Sequence, residues 1–295
     1  MRKRKGRLLR YAWWCAPVLI IGLLAGAELP DVQFLFSKNL KGEAHGSEDS
    51  RPDSGSGLKP QEEEWVMAPH GWKMIWNDEF NGDALDLDKW IPEDWKADKN
   101  KELQYYLPHN VSVQDGALNI VSRRESYKGR AYTSGAVHTK GTFSFQYGRV
   151  EMRAKLPGGQ GIFPAFWMMP DKRDAWLPEI DIVEMLGQKP HEIWMVFHRE
   201  ERDGKITRAA SYKENDFTKD FHTYSLEWTP EELVWAIDGI ERFRIKGDIP
   251  REKMYLYANT AVGGNWPGKP DGSTIFPVSY LIDYIRVYQR TEGDV

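Results

Sequence analysis

The sequence predicts an all-β chain, folded as a sandwich or jelly roll, and three observations point there. Short runs of alternating apolar and polar residues recur through residues 63–295. Tight-turn dipeptides punctuate them. No long helical periodicity appears anywhere, which leaves layered sheets as the way to bury a core. Asp115-Gly116 separates Val111-Ser112-Val113 from Ala117 to Val121, and Asp238-Gly239 separates Leu233 to Ile237 from Glu241 to Ile245. Each pair reads as two strands of a hairpin. Asp248 to Lys253 is expected to form a short helical turn.

The chain begins differently. Arg2, Lys3, Arg4, Lys5, Arg7 and Arg10 form a basic segment without an acid, and an apolar run interrupted only by Pro17 follows from Tyr11 to Ala27. Ala25-Gly26-Ala27 has the small-x-small pattern of a cleavage site, so residues 1–27 read as a secretory signal, with an uncleaved anchor as the rival. The single cysteine, Cys15, lies in this leader. Trp14 precedes it where lipidation needs a small residue. The remaining chain therefore has no disulfide, which fits bacterial export. Residues 28–62 are rich in turn formers and charge and read as a disordered linker or tail. Residues 63–295 form the globular domain.

Charge excludes one class of partner. The formal net charge is −4, and −10 once the six cations of residues 1–27 are set aside. Such a chain is a poor ligand for nucleic acid phosphates. A neutral polymer is the easier partner. Membrane contact is expected only through an uncleaved leader, and a monomer is expected.

One stretch concentrates chemistry. Glu179-Ile180-Asp181-Ile182-Val183-Glu184 places three carboxylates among β-branched residues that favour a strand. Side chains alternate faces, so Glu179 and Asp181 point the same way and Glu184 points the other. A β-bulge between Asp181 and Glu184 would bring the third acid to the same face. A solvated charged face is the bland alternative. Trp167, Trp176 and Trp194 lie close by, however, and aromatic rings beside clustered acids suit a sugar cleft. Trp72, Trp76, Trp90, Trp228 and Trp235 are assigned to structural packing.

Glu-Ile-Asp-Ile-Val-Glu resembles the E-x-D-x-x-E signature of glycoside hydrolase family 16 in its bulged, laminarinase-like form. The resemblance extends from about Trp72 to Tyr288. It includes Trp76 to Gly82, Glu102 to Tyr106, Tyr147 to Pro157, Gly161 to Trp167, Phe221 to Tyr224, Ala261 to Trp266 and Ile282 to Tyr288. It implies two curved antiparallel sheets with a concave substrate cleft. It also implies a retaining glycosidase, with Glu179 as nucleophile, Glu184 as general acid/base and Asp181 hydrogen-bonded between them.

Further residues come with the resemblance. His198, Asn100, Asn259 and the Glu151 and Arg153 pair match cleft positions. Phe163, Trp167, Trp176 and Trp266 are the aromatic candidates for substrate contact. No cofactor is required. The family allows a structural calcium, and Glu79 and Asp283 match ligand positions for it. Three departures bear on substrate: Phe163 stands where family members commonly have Trp, Pro178 where they have Gly, and Asp171 to Asp174 carry charge. The expected activity is an exported endo-acting cut of β-glucan, foremost at 1,3 linkages. The alternatives are hydrolysis or transglycosylation of another polysaccharide, such as a galactan or exopolysaccharide, and non-catalytic glucan binding.

Overall fold

A computed structural model describes residues 68–202 and 204–291. The leader, the linker and the first residues of the domain, 63–67, lie outside the described residues. Two large antiparallel sheets form a sandwich. The first has seven strands in the order Gly204–Lys213, Glu192–Glu201, Glu179–Met185, Ile162–Pro170, Met254–Val262, Ala136–His138, Ile91–Pro92. The second has eight. Its path runs Ile240–Lys246, Glu232–Ile237, His222–Trp228, Gly148–Lys155, Val278–Arg290, Ala117–Ser122, Val111–Gln114, with Trp72–Asp78 also paired to Val278–Arg290. No described helix is long and apolar enough to cross a membrane.

The inward residues of both sheets build one core. On Gly148–Lys155 burial alternates strictly, with Val150, Met152 and Ala154 inside, as period-two patterning requires. Trp90, Trp228 and Trp235 are fully buried. Trp76 packs on the core by stacking on Phe143, and Trp72 lies under the Arg290 guanidinium. Asp78 is buried and accepts hydrogen bonds from the Trp90 indole at 2.9 Å and the Phe80 amide at 3.0 Å, which gives that segment a structural role.

Both Asp-Gly turns join hairpins. Positive φ at Asp115 and Gly116, and at Asp238 and Gly239, supplies the twist that a two-residue hairpin needs. Gly148 is required sterically, since a Cβ there would lie 2.2 Å from the Tyr288 carbonyl oxygen. The expected helical turn at Asp248 to Lys253 is absent. Gly247 and Asp248 adopt positive φ and Pro250 removes a donor. The 3₁₀ turns among the described residues are Lys99–Lys101 and Pro108–Asn110.

A third, three-stranded sheet contains Trp95–Lys96, Gln104–Tyr106 and Tyr132–Ser134. It lies against the outer face of the seven-stranded sheet. Ala97 and Tyr106 pack there with Met169, Tyr255 and Tyr257, and Trp95 and Trp167 flank them. This face carries the acidic strand.

Candidate active site

The acidic strand is bulged. Against Ile162–Pro170 the register runs Ala165 to Glu184, Phe166 to Val183, then Trp167 to Asp181. Ile182 is therefore the extra residue. Against Glu192–Glu201 the shift falls between Asp181 and Glu184. Ile182 and Val183 both enter the core, because two apolar residues in sequence can share a face only across such a bulge. Glu179, Asp181 and Glu184 are left on the outer face.

His198 joins them from the neighbouring strand, where it pairs with Glu179. Its Nε2 lies 3.6 Å from a Glu179 oxygen and 3.9 Å from an Asp181 oxygen. Its Nδ1 is 2.7 Å from the Thr207 hydroxyl on the edge strand, which fixes the ring plane. Burial, helped by the Lys205 charge, pushes this imidazole down to about 4. It meets the acids as a neutral ring near neutral pH.

The carboxyls are held in an environment hostile to charge. Burial, then repulsion from Glu179, pushes Glu184 up to about 8. Burial also raises Glu179, to about 7, while the Lys205 charge, the Trp176 indole and the Lys99 charge pull the other way. Asp181 is 2% exposed. Its carboxyl rises well above the usual range through burial, then Glu184, then Glu179. Three acids this close cannot all ionise near neutral pH. The order favours a proton on Glu184 and Asp181 while Glu179 is the first of the two glutamates to lose one. Glu179 Oε2 and Asp181 Oδ2 are buried without a hydrogen-bond partner among the described residues.

Aromatic rings flank the acids on two sides. Trp167, opposite Asp181, contacts Trp176 at 5.6 Å and Tyr257 at 4.8 Å between ring centres. Its indole donates to Asn259 Oδ1 at 2.9 Å, and Asn259 Nδ2 donates to the Tyr106 hydroxyl at 2.9 Å. Asn259 is thus a buried clamp that sets the Trp167 ring. Trp176 is 40% exposed, with the Lys99 ammonium 4.0 Å from its ring centre. On the other side Trp266 meets Phe163 at 5.4 Å and Trp194 at 5.5 Å, both edge to face. Asn100, at positive φ, accepts the Asn265 amide on its backbone oxygen at 2.8 Å. Asn100 therefore braces the Trp266 loop.

Two expected cleft residues lie elsewhere. Glu151 and Arg153 are on the eight-stranded sheet, on the opposite side from the core residues Val150, Met152 and Ala154. They face away from the acids. Glu151 accepts from Arg149 at 2.7 Å and from the Tyr284 hydroxyl at 2.9 Å, and Arg153 pairs with Asp283 beneath Phe221. The Glu-x-Arg pair is part of an outer-face charge network, which corrects its assignment to the cleft.

The calcium positions fit no better. Glu79 accepts two hydrogen bonds from Arg286, at 2.9 and 2.6 Å, and one from Asn77 at 3.0 Å. Asp283 is held by Arg153. Carboxylates already neutralised by guanidinium groups do not suit a hard cation, which needs several free oxygens. Among the described residues, the cluster with converging ligand atoms is Glu179, Asp181 and His198, whose atoms lie within 4.8 Å of one another. That group could hold a metal ion.

Sequence reading missed Thr207 and Tyr106. Tyr106 falls within the Glu102 to Tyr106 stretch, which marked the segment without assigning a role. Thr207 could have been found by parity, once its strand was paired with that of His198.

Known proteins share this architecture. Residues 97–286 match the sequence profile described as Glycosyl hydrolases family 16. A beta-glucanase of Rhodothermus marinus is 36% identical over 259 residues, covering 76% of this chain and 87% of that protein. The glucan endo-1,3-beta-glucosidase A1 of Niallia circulans is 34% identical over 267 residues; the match covers 75% of this chain and 38% of that longer protein. The catalytic domain of an endo-1,3-beta-glucanase (laminarinase) from Thermotoga petrophila RKU-1 superposes with a TM-score of 0.69 at 35% identity, covering 75% of this chain and 99% of that one.

Proposed function

Since the chain belongs to glycosyl hydrolase family 16, we propose that it is an exported, endo-acting enzyme that cleaves β-1,3 linkages of a β-glucan with retention of anomeric configuration. The observation that carries this reading is the bulge, which sets Glu179, Asp181 and Glu184 on one face beside two aromatic groups. Relatives named for 1,3-linked glucan support the linkage.

In the first step the Glu179 carboxylate attacks the anomeric carbon and forms an ester bond to it. The glycosidic bond breaks, and its oxygen takes the proton of Glu184. In the second step Glu184, now a carboxylate, takes a proton from water. The water oxygen attacks the anomeric carbon and Glu179 leaves. Asp181, kept protonated by burial and by its two neighbours, can donate to Glu179 while that carboxylate is charged. Neutral His198 helps exclude further charge from the group. The Asn259 clamp orients Trp167, whose ring can cover one sugar face.

A polysaccharide panel tests the reading, using laminarin, lichenan, agarose and xyloglucan with sizing of early products. Laminarin cut to mixed oligomers is expected. Cleavage of agarose alone would overturn the substrate, and release of single sugars from the first time points would overturn the endo mode.

A further inference from the structure

The bulge that aligns the acids is held from the far side of the sandwich. In a regular strand, carbonyls lie in the sheet and meet neighbouring strands. The Asp181 carbonyl accepts a hydrogen bond from outside its sheet, from the Trp235 indole at 2.9 Å, and Trp235 belongs to Glu232–Ile237 of the eight-stranded sheet. The carbonyl therefore leans out of its own sheet toward the core. Trp235 is fully buried and packs on Phe243 at 5.0 Å between ring centres. The neighbouring strand Ile240–Lys246 is bulged at this point: Trp235 pairs with Phe243 and Ala236 with Glu241, which leaves Arg242 as the extra residue. The indole N–H thus joins the bulged acidic strand of one sheet to a strand that lies beside a bulge in the other.

We infer that Trp235 is a positioning residue for the reaction, fixing the bulge that aims Glu184 at the face occupied by Glu179. The inference rests on the reading of these glutamates as the reacting pair. Without the indole, the buried Asp181 carbonyl loses the hydrogen bond that reaches it from the other sheet, a loss that weakens the bulged geometry. Relaxing the bulge would turn that carbonyl back into the plane of its own sheet. It would also restore strict alternation, and Glu184 would turn away from Glu179. An indole is suited to the task because it combines a large apolar body with one directional donor.

Another buried tryptophan supplies a matched control. Trp228 lies in the same sheet, is equally buried, and donates from its indole to the Pro250 carbonyl at 3.1 Å. It makes no such bond to the acidic strand.

The experiment compares Trp235→Phe, Trp228→Phe and Glu184→Gln in the full chain. The substrate is the panel polymer that the parent protein cuts fastest, laminarin by expectation. For Trp235→Phe, kcat should fall about 10–100-fold, the scale of misplacing a reacting group by a fraction of an ångström to an ångström. KM should stay within about twofold of the parent on the same scale of argument. The pH–kcat profile should move, since the separation of the carboxyls sets their coupling. Trp228→Phe should lower Tm by a similar amount and leave kcat and the profile as in the parent. Equal losses of kcat in the two tryptophan variants, or an unmoved profile with parental kcat in Trp235→Phe, would overturn the positioning role while Glu184→Gln remained inactive. A fully active Glu184→Gln, or no cleavage of any polymer, would overturn the reading beneath it as well. Should Trp235→Phe fail to fold, benzothienylalanine at position 235 replaces the N–H by sulfur in the same shape. Parental kcat there refutes the role, and a 10-fold or greater loss supports it.

Discussion

Glu184→Gln should make the protein more stable in alkali than the parent, while removing its activity. Burial keeps a proton on Glu184. Its carboxyl is raised from an ordinary 4.5 to about 8, first by burial and then by Glu179. Between those values the folded protein holds a proton that the unfolded chain has released. Unfolding free energy therefore falls as pH rises through this window, and the contribution is whole only below about 4.5. At 1.36 kcal/mol per pKa unit, the full span corresponds to about 5 kcal/mol. Glu179 and Asp181 share protons with Glu184, which spreads the titration, so a difference of about 2–5 kcal/mol is expected to build up between pH 5 and pH 9. Glutamine keeps the shape without the ionisation. Urea unfolding at pH 5, 7 and 9 would measure it, read as the shift of midpoint at constant slope. His138 and His198 act in the opposite direction. Burial holds both at about 4, so their contribution grows as pH rises from about 4 to 6.5. It is common to both proteins and cancels on subtraction. A parent-to-variant difference that does not change with pH would refute the reasoning.

Three further outcomes are expected. In Glu179→Ala, azide should restore cleavage of an activated aryl glycoside and yield the inverted azide. In Glu184→Ala, it should yield the retained one; the opposite pairing, read by NMR of the products, would exchange the two roles. N-terminal sequencing of the secreted protein should begin at Glu28, whereas an intact Met1 in the membrane fraction would favour the anchor. Asn259→Leu strands the Trp167 indole and the Tyr106 hydroxyl at about 1–3 kcal/mol for each buried group. Tm should fall by about 2–4 °C per kcal/mol and KM should rise more than kcat falls. An unchanged melting curve and KM would show that Asn259 is no clamp.

What could be read in the sequence was whatever depends on alternation along one strand. Glu184 has the wrong parity beside Glu179 and Asp181, and the bulge follows from that mismatch. Asp-Gly between alternating runs carries the hairpins in the same local way. Glu151 and Arg153 show the limit. Parity places them on one face, and the apolar Val150, Met152 and Ala154 turn that face outward, but parity does not say to which sheet the strand belongs. That is settled by pairing with Val278–Arg290 and His222–Trp228, both distant in sequence. Glu79 was equally opaque as a metal ligand, because the guanidinium that occupies it comes from Arg286, 207 residues away. The Trp235 bond to Asp181 spans both sheets, and no pattern within either strand announces it.

The row of paired positions across the seven-stranded sheet makes the sheet a ruler. Ala209, Val196, Asp181, Trp167, Tyr257 and His138 are successive register partners on neighbouring strands. Neighbouring strands are spaced by about 4.8 Å. Val196, Asp181 and Tyr257 in that row are themselves buried, and Ala97 and Tyr106 pack over Tyr257. The row is thus a fixed floor: it sets the spacing between the acidic strand and the strands that carry Trp167 and His198, and a shift of any one strand would be felt by its neighbours through the ladder.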